Sequence, residues 1–317
     1  MKKYRPFTPD PAQMALWPDA SGNDINGLDE PGFRRPRHVY WGDPETSTFG
    51  AVQKWFYAHN TDPALEVGRI ERKAEEQIPL PPVAAQIVNQ SAEDWTLAIK
   101  ARALGLGAND VGIAEMNPDW VYEGWNEPFS HIIVMAIAMD YDTMTQAPEP
   151  PAGAEVVRQY TRGMKTSKAL AGWLRHQGHD AQPEHGPFAE GMTLVPAALA
   201  AGLGELGKHG SIINRKLGSC FRLAAVLCNL PLIPDVPDTF GADDFCAKCQ
   251  VCSNNCPPDA IFADKQTVRG VRKWYVNFDK CLPFFNQTAG CAICITVCPF
   301  SRPGVGDNLV AKLARRA

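Results

Sequence analysis

Apolar and polar positions along the chain fall into three regimes. Up to about residue 90 the periodicity is weak and Pro, Asp and Gly recur. This stretch reads as an extended arm with short helices that wraps a core formed by the rest. From Ser91 the pattern sharpens. Ser91 followed by Glu93 and Asp94 marks a helix start, with Ser91 as cap and acids in the first turn. The helix is expected to run through Trp95 and Leu104 and to stop at Gly105. Two short apolar runs follow, over 110–115 and 131–139, and their length predicts strands. A loop is expected over 146–151. An amphipathic helix is expected over 155–176, with Tyr160, Met164, Leu170 and Leu174 on its apolar stripe. A further helix begins over 194–201, another strand covers 222–230, and 231–237 reads as a linker. The third regime, 241–300, is rich in cysteine. Three units are therefore expected: an arm over 1–90, a domain over 91–240 and a module over 241–317.

Composition narrows the class. A hydrophobic share of 45% and a charged share of 21% are globular values, so a buried core is expected. The net charge of −4 comes without a basic block, so no nucleic-acid partner is expected. No apolar run approaches the roughly 20 residues that span a bilayer. Neither Met1-Lys2-Lys3 nor Arg34-Arg35 is followed by an apolar segment, so no secretory or twin-arginine signal is read and the expected location is cytoplasmic.

The cysteines change the picture most. There are ten, none lies before Cys220, and eight fall between Cys246 and Cys298. A disulfide scaffold would spread them through a small secreted chain, whereas short regular spacing points to metal. The first run is Cys246-x2-Cys249-x2-Cys252-x3-Cys256-Pro257. The second is Cys281-x9-Cys291-x2-Cys294-x3-Cys298-Pro299. Thiolates spaced this way grip one cubane, and the fourth cysteine, carried off by a helix start, ligates the other. Two [4Fe–4S] clusters are expected, one on Cys246, Cys249, Cys252 and Cys298, the other on Cys256, Cys281, Cys291 and Cys294. Zinc also uses Cys-x2-Cys, but it does not need the trailing x3-Cys-Pro. Cys220 and Cys228 stand outside the pattern and read as small buried hydrophobes. Two clusters make a short wire. A bare electron carrier, the binding-class alternative, leaves the two hundred residues before the wire without a use.

Gly202–Gly207 matches Gly-x-Gly-x-x-Gly, but the residues before it read as helix rather than strand, so a dinucleotide site is not expected. The same segment supports another reading. Residues 202–210 (GLGELGKHG), Ile213-Asn214, residues 218–224 (GSCFRLA) and Leu230-Pro231-Leu232 stand directly before the cysteine module. In this order they resemble the cobamide-dependent iron–sulfur reductases, namely reductive dehalogenases and epoxyqueuosine reductase. Residues 110–123 (DVGIAEMNPDWVYE), 131–142 (HIIVMAIAMDYD), 274–281 (WYVNFDKC), 290–294 (GCAIC) and 298–300 (CPF) are similar to dehalogenase segments. The resemblance covers roughly residues 95–302, and it lies in the order of the segments.

That resemblance implies an α+β fold: a nitroreductase-like, corrinoid-binding α/β core followed by a ferredoxin-like two-cluster module. It implies a base-off cobalamin or related corrinoid, and no Asp-x-His-x-x-Gly motif is present to supply a histidine ligand. The implied reaction replaces carbon–halogen by carbon–hydrogen in a small aryl or alkenyl organohalide. It takes two electrons from an external ferredoxin, flavodoxin or reductase, and one proton from a positioned acid. Tyr141 matches the family's proton donor and Lys208 the cation that would acidify it. Arg272 is expected to anchor a phenolate-type substrate. His185 and His209 are expected to be structural or substrate-lining. The alternative within the resemblance is an epoxyqueuosine reductase acting on tRNA. Its acid is an aspartate in an Asp-Ser-Ala-Pro stretch that is missing here, with Glu190 the nearest substitute.

Overall fold

The computed structural model describes residues 4, 6–186 and 191–315. Its centre is a four-stranded antiparallel sheet in the order Asp110–Glu115, His131–Ala138, Phe221–Cys228, Ala181–His185. The two middle strands pair Ile132 with Leu227, Ile133 with Val226 and Val134 with Ala225. Side chains alternate across the sheet. Ile113, Ile133, Met135, Ile137 and Val226 therefore face one way, onto Trp95 and Ile99 of the helix Ala92–Gly105 and Leu170 and Leu174 of the helix Pro150–His176. Ile132, Val134, Ala136 and Leu227 face the other way, onto Leu194, Ala197 and Ala198 of the helix Leu194–Ala200. A sheet covered on both faces must be apolar on both. This is why its central strands read as unbroken apolar runs.

The expected helix after Ser91 is present, and the Ser91 hydroxyl accepts the Asp94 amide. The expected loop over 146–151 and helix over 155–176 resolve differently. The long helix begins at Pro150, because Pro suits the first helical turn. The segment before residue 90 carries a longer helix than expected, Pro63–Glu76, which packs on the long helix. Its buried face offers only Leu65 and Gly68, too little for an apolar stripe. A Cβ at Gly68 would meet Val157 at 2.9 Å, so the glycine permits the approach.

Residues 7–60 clamp one helix of the cysteine module, Phe278–Gln287. Asn286 is fully buried there. It accepts the Tyr40 hydroxyl (2.9 Å), donates to Gln13 Oε1 (2.9 Å), and gives its backbone carbonyl to Asn60 Nδ2 (2.8 Å). Phe49, Val52 and Leu282 close the apolar part of this contact. The module is also stitched to the sheet half. The Ser219 amide donates to Ser301 Oγ (2.9 Å) and Thr296 Oγ1 to the Met144 carbonyl (3.2 Å). The stretch Gly202–Gly207 follows a helix and enters a two-residue ladder, Glu205–Leu206 with Ile212–Ile213, so it opens no helix. A Cβ at Gly204, at φ +132°, would meet the Ile213 carbonyl oxygen at 2.1 Å.

Candidate redox centre and its cavity

The helix Ala242–Lys248 presents Cys246, Cys249 caps its end, and Val251–Asn255 carries Cys252. The start of the first helix is fixed from a distance. The buried Glu205 carboxylate accepts the amides of Phe240, Gly241 (2.7 Å), Ala242 (3.2 Å) and Asp243 (2.8 Å), which satisfies the free N–H groups of a helix start. Cys298, the last cysteine of the second run, packs with Cys246. Burial pushes the Cys246 and Cys298 thiols up to about 12, and repulsion from the other thiols of their set adds to it. Cys298 feels Cys246, Cys252 and Cys249.

The second set forms the same way from the other four. Burial raises Cys281, Cys291 and Cys294, with Cys291 pushed up to about 12. After burial, Cys294 is raised by Cys291, Cys281 and Cys256. The least of its influences is Cys252, so the two sets adjoin. Cys291 and Ala292 take positive φ values of 54° and 65°, which turns the loop back toward the helix that carries Cys281. Each run thus gives three thiols to one set and one to the other. The donor set, two runs that each end in x3-Cys-Pro, fits iron–sulfur clusters. Iron would also supply the positive charge that these buried thiolates require.

Lys208 is fully buried, and its Nζ has no hydrogen-bond partner. The ammonium lies 5.0 Å from the centroid of the Trp274 ring and acts on Cys246 and Cys252 of the first set. The Lys208 backbone also bonds Cys246.

Three cavities of about 400, 470 and 240 Å³ meet at Thr193, which lines all of them. The 470 Å³ cavity has Cys256, Cys281, Cys291 and Cys294 in its wall. His209 lines it too. Its Nδ1 accepts the Ser211 amide (3.2 Å), so the proton sits on Nε2, which bonds Ser219 Oγ (3.0 Å). Burial lowers His209 to about 4 and keeps it neutral. Lys273 and Arg269 line it as well. Burial, with Arg269 beside it, brings Lys273 down to about 8. The 240 Å³ cavity is framed by Tyr122, Tyr160 and Arg222. The Arg222 guanidinium lies 5.4 Å from the Tyr160 ring centroid, and its Nε is buried without a partner. A Cβ at Gly186 would meet the Tyr160 ring at 2.4 Å, so that glycine leaves room for the phenol.

The expected residues are placed unequally. Tyr141 does not end a strand. The strand stops at Ala138, and Asp140 caps the short helix Tyr141–Met144 by accepting the Thr143 amide. The Tyr141 hydroxyl points at the Thr296 carbonyl (3.4 Å), and its ring packs with Cys220 and Cys294. Burial raises its pKa, and the cation that opposes this is Arg302 rather than Lys208. Tyr141 and Lys208 thus serve different surroundings, and neither lines the three cavities. Arg272 is exposed on the strand Val271–Lys273, and its neighbour Lys273 is the one that turns to the cavity. Burial, then Arg72 and Lys168, hold His185 down to about 4. Glu190 lies outside the described residues. Cys220 and Cys228 are buried, the latter in the sheet core. The pair missed from the sequence is Tyr160 with Arg222. The one signal was Tyr160, a polar-tipped ring on an otherwise aliphatic stripe.

The centre defines a class first: residues 245–301 match the 4Fe-4S dicluster domain. The relatives then narrow it. Over 259 residues the chain is 31% identical to the tetrachloroethene reductive dehalogenase of Sulfurospirillum multivorans, covering 67% of this chain and 51% of that protein. It is 27% identical over 269 residues to the epoxyqueuosine reductase of Pseudomonas aeruginosa, covering 72% of this chain and 73% of that one. Among solved structures it matches the catabolic reductive dehalogenase NpRdhA in complex with 3-bromo-4-hydroxybenzoic acid. The TM-score is 0.72 at 25% identity, over 83% of this chain and 41% of that one. The chain is thus a homologue of reductive dehalogenases and epoxyqueuosine reductases, which are oxidoreductases. It spans about half or less of the length of the curated dehalogenases it matches.

Proposed function

We propose that this chain is a corrinoid- and iron–sulfur-dependent reductase that removes halide from a small organohalide. In this reading residues 91–240 form a nitroreductase-like core that holds the corrinoid, 241–317 hold the clusters, and 1–90 form the arm. Cys246, Cys249, Cys252 and Cys298 ligate the first cluster, and Cys256, Cys281, Cys291 and Cys294 the second. The observation that carries the reading is the cavity system. At one end stand the thiols of the second set, at the other a phenol beside a guanidinium, and Thr193 joins the two.

The lining fits a flat macrocycle with an amide rim. It is largely apolar, with Arg269 and Lys273 at one edge and Arg222 Nε unpartnered at another. Both nitrogens of His209 are engaged by serines, which suits a base-off corrinoid without a protein histidine ligand. When bound and reduced, the corrinoid supplies the electron pair that replaces the halide. The overall balance is R–X plus two electrons and one proton, giving R–H and X⁻. Electrons enter from an external ferredoxin, flavodoxin or reductase through the clusters. The proton comes from Tyr160. Arg222 stands beside the ring, its guanidinium 5.4 Å from the centroid. Tyr160 takes the role that the sequence assigned to Tyr141, because Tyr160 faces the cavity and has a cation of its own. A similar dehalogenase was solved with a bromo-hydroxybenzoate, which makes bromophenols the first substrates to try.

The test is an ultraviolet–visible spectrum of anaerobically purified protein, followed by turnover of a bromophenol with a chemical reductant. Clusters, corrinoid and halide release are expected together. Full activity in corrin-free protein would overturn the reading, and reduction of epoxyqueuosine in tRNA without halide release would favour the alternative.

A further inference from the structure

We propose that Arg269 and Lys273 form an anion clasp for the phosphodiester of the corrinoid's nucleotide loop, the one anionic group on the periphery of a complete corrinoid. This deepens the corrinoid reading above and rests on it.

Both cations come from one hairpin. Its strands, Gln266–Val268 and Val271–Lys273, pair Val268 with Val271, so Arg269 and Gly270 are the two residues of the turn. They take positive φ values of 48° and 76°. Such a turn favours Asn or Asp followed by Gly, and an arginine in the first place is strained unless its surroundings hold it. The arm holds it. The Arg269 amide donates to the Gly27 carbonyl (2.9 Å), the Gly270 amide to the Glu30 carbonyl (2.9 Å), and Arg269 Nη1 to the Asn26 carbonyl (2.6 Å). A Cβ at Gly27 would meet Arg269 Cγ at 2.5 Å, so that glycine makes room for the stem. Held in this way, Arg269 lines both the 400 and the 470 Å³ cavity, and Lys273 lines the larger.

The protein does not answer this charge. Among the described residues no Asp or Glu lines any of the three cavities. Glu30 Oε2 comes within 2.6 Å of the same Cβ position at Gly27, but both oxygens of Glu30 hold Arg34, at 2.8 and 3.1 Å. A half-buried guanidinium and a half-buried ammonium on a cavity without an acid favour an anionic ligand, and the pair suits phosphate. Position says which anion. Neither residue lines the 240 Å³ cavity where Tyr160 and Arg222 stand, so the anion does not belong to the reacting end. Next to Arg269, the 400 Å³ cavity is walled by Trp41, Tyr122, Phe278 and Phe285, flat rings on which a planar base stacks. The 470 Å³ cavity, with the second thiol set in its wall, takes the macrocycle. A phosphate at Arg269 stands between the macrocycle and the base that it tethers.

The test is equilibrium dialysis of the cluster-loaded, corrin-free protein, read as cobalt in both compartments. The probes are cobalamin, cobinamide phosphate and cobinamide, which lose first the nucleoside and then the phosphate. In the unmodified protein, loss of the phosphate should weaken binding roughly tenfold or more, the scale of a hydrogen bond to a charged group. Arg269→Met and Lys273→Met should each erase much of that difference and leave cobinamide binding unmoved, and Lys273→Arg should keep it. The inference is overturned if cobinamide phosphate and cobinamide bind the unmodified protein equally. That comparison needs no variant, so it decides the matter even if Arg269→Met disturbs its turn. It is also overturned if the variants weaken all three probes alike, or if they weaken binding of 3-bromo-4-hydroxybenzoate instead, which would make the pair a substrate anchor. Binding of no probe at all would overturn the corrinoid reading itself. Probes that bind without regard to phosphate would overturn only the clasp.

Discussion

The two thiol sets are alike in ligands and unlike in everything around them. The first sits among aromatic rings, with Phe245 and Phe300 5.1 Å apart, a buried ammonium beside it and Glu205 holding its first helix. The second forms a cavity wall and rides on a helix gripped by residues 7–60. The ligand spacing defines what each set can bind, and the partners brought from elsewhere in the chain define what each is for.

The largest effect tests whether the sets are crossed as described. Cys256→Ala removes a cysteine that is a sequence neighbour of the first set and a spatial member of the second. Turnover should be abolished, iron content should fall by roughly half, and the surviving signal should be that of the first cluster. Loss of the first cluster instead would show that each run ligates its own cubane.

Which side of the second set is the working side comes next. Tyr160→Phe should lower turnover about 10²–10⁴-fold with both clusters retained. Tyr141→Phe, on the opposite side against Cys294, should leave turnover near that of the unmodified protein. Arg222→Met should cost less than Tyr160→Phe, and the double variant should be no worse than the phenol loss alone, because both act on one proton. If the tyrosines exchange these outcomes, the sequence-based assignment to Tyr141 stands.

The clamp gives a smaller effect. Asn286→Leu leaves the Tyr40 hydroxyl and Gln13 Oε1 without their Asn286 partner, which costs on the order of 1–3 kcal/mol. In a denaturant series the second cluster should bleach before the first. Simultaneous bleaching would show that the clamp does not distinguish the two.

The smallest effect concerns pH. His209 titrates near 6.5 when unfolded and near 4 when folded, so the unfolded chain binds more protons between those values. Its contribution is complete above about 6.5 and is lost as pH falls toward 4. Thermal unfolding at pH 7 and pH 5 should show this loss, and His209→Gln should flatten it. An unchanged slope would place the pH sensitivity elsewhere, with His185, also brought down to about 4, the first candidate.

Much of this was legible before the fold was seen, and the limits have physical causes. The thiol sets follow from spacing alone, because a cubane's geometry is imposed locally on short loops. Three of the four sheet strands were legible as well, since burial leaves apolar runs, whereas the edge strand Ala181–His185 (AQPEH) carries no such run and was not. Tyr160 and Arg222 were not paired, because a helix and a strand sixty residues apart meet only through sheet packing. Arg272 was one residue from Lys273, and in a strand one residue exchanges solvent for cavity. Lys208 was recognised as special, but its partner was misjudged. A Gly-rich turn looks exposed in sequence, and here it folds beneath Trp274.

The clamp on Asn286 also has a consequence for synthesis. Tyr40 and Asn286 are 246 positions apart, so the arm leaves the ribosome long before the helix it must grip. At typical elongation rates the wait is on the order of ten to fifty seconds. Throughout that interval Trp41, Phe49 and Phe56 have no helix to cover them, and the cysteine loops emerge into a chain whose lid is still open. The clamp, and the burial it gives Asn286, can therefore form only once the chain is nearly complete.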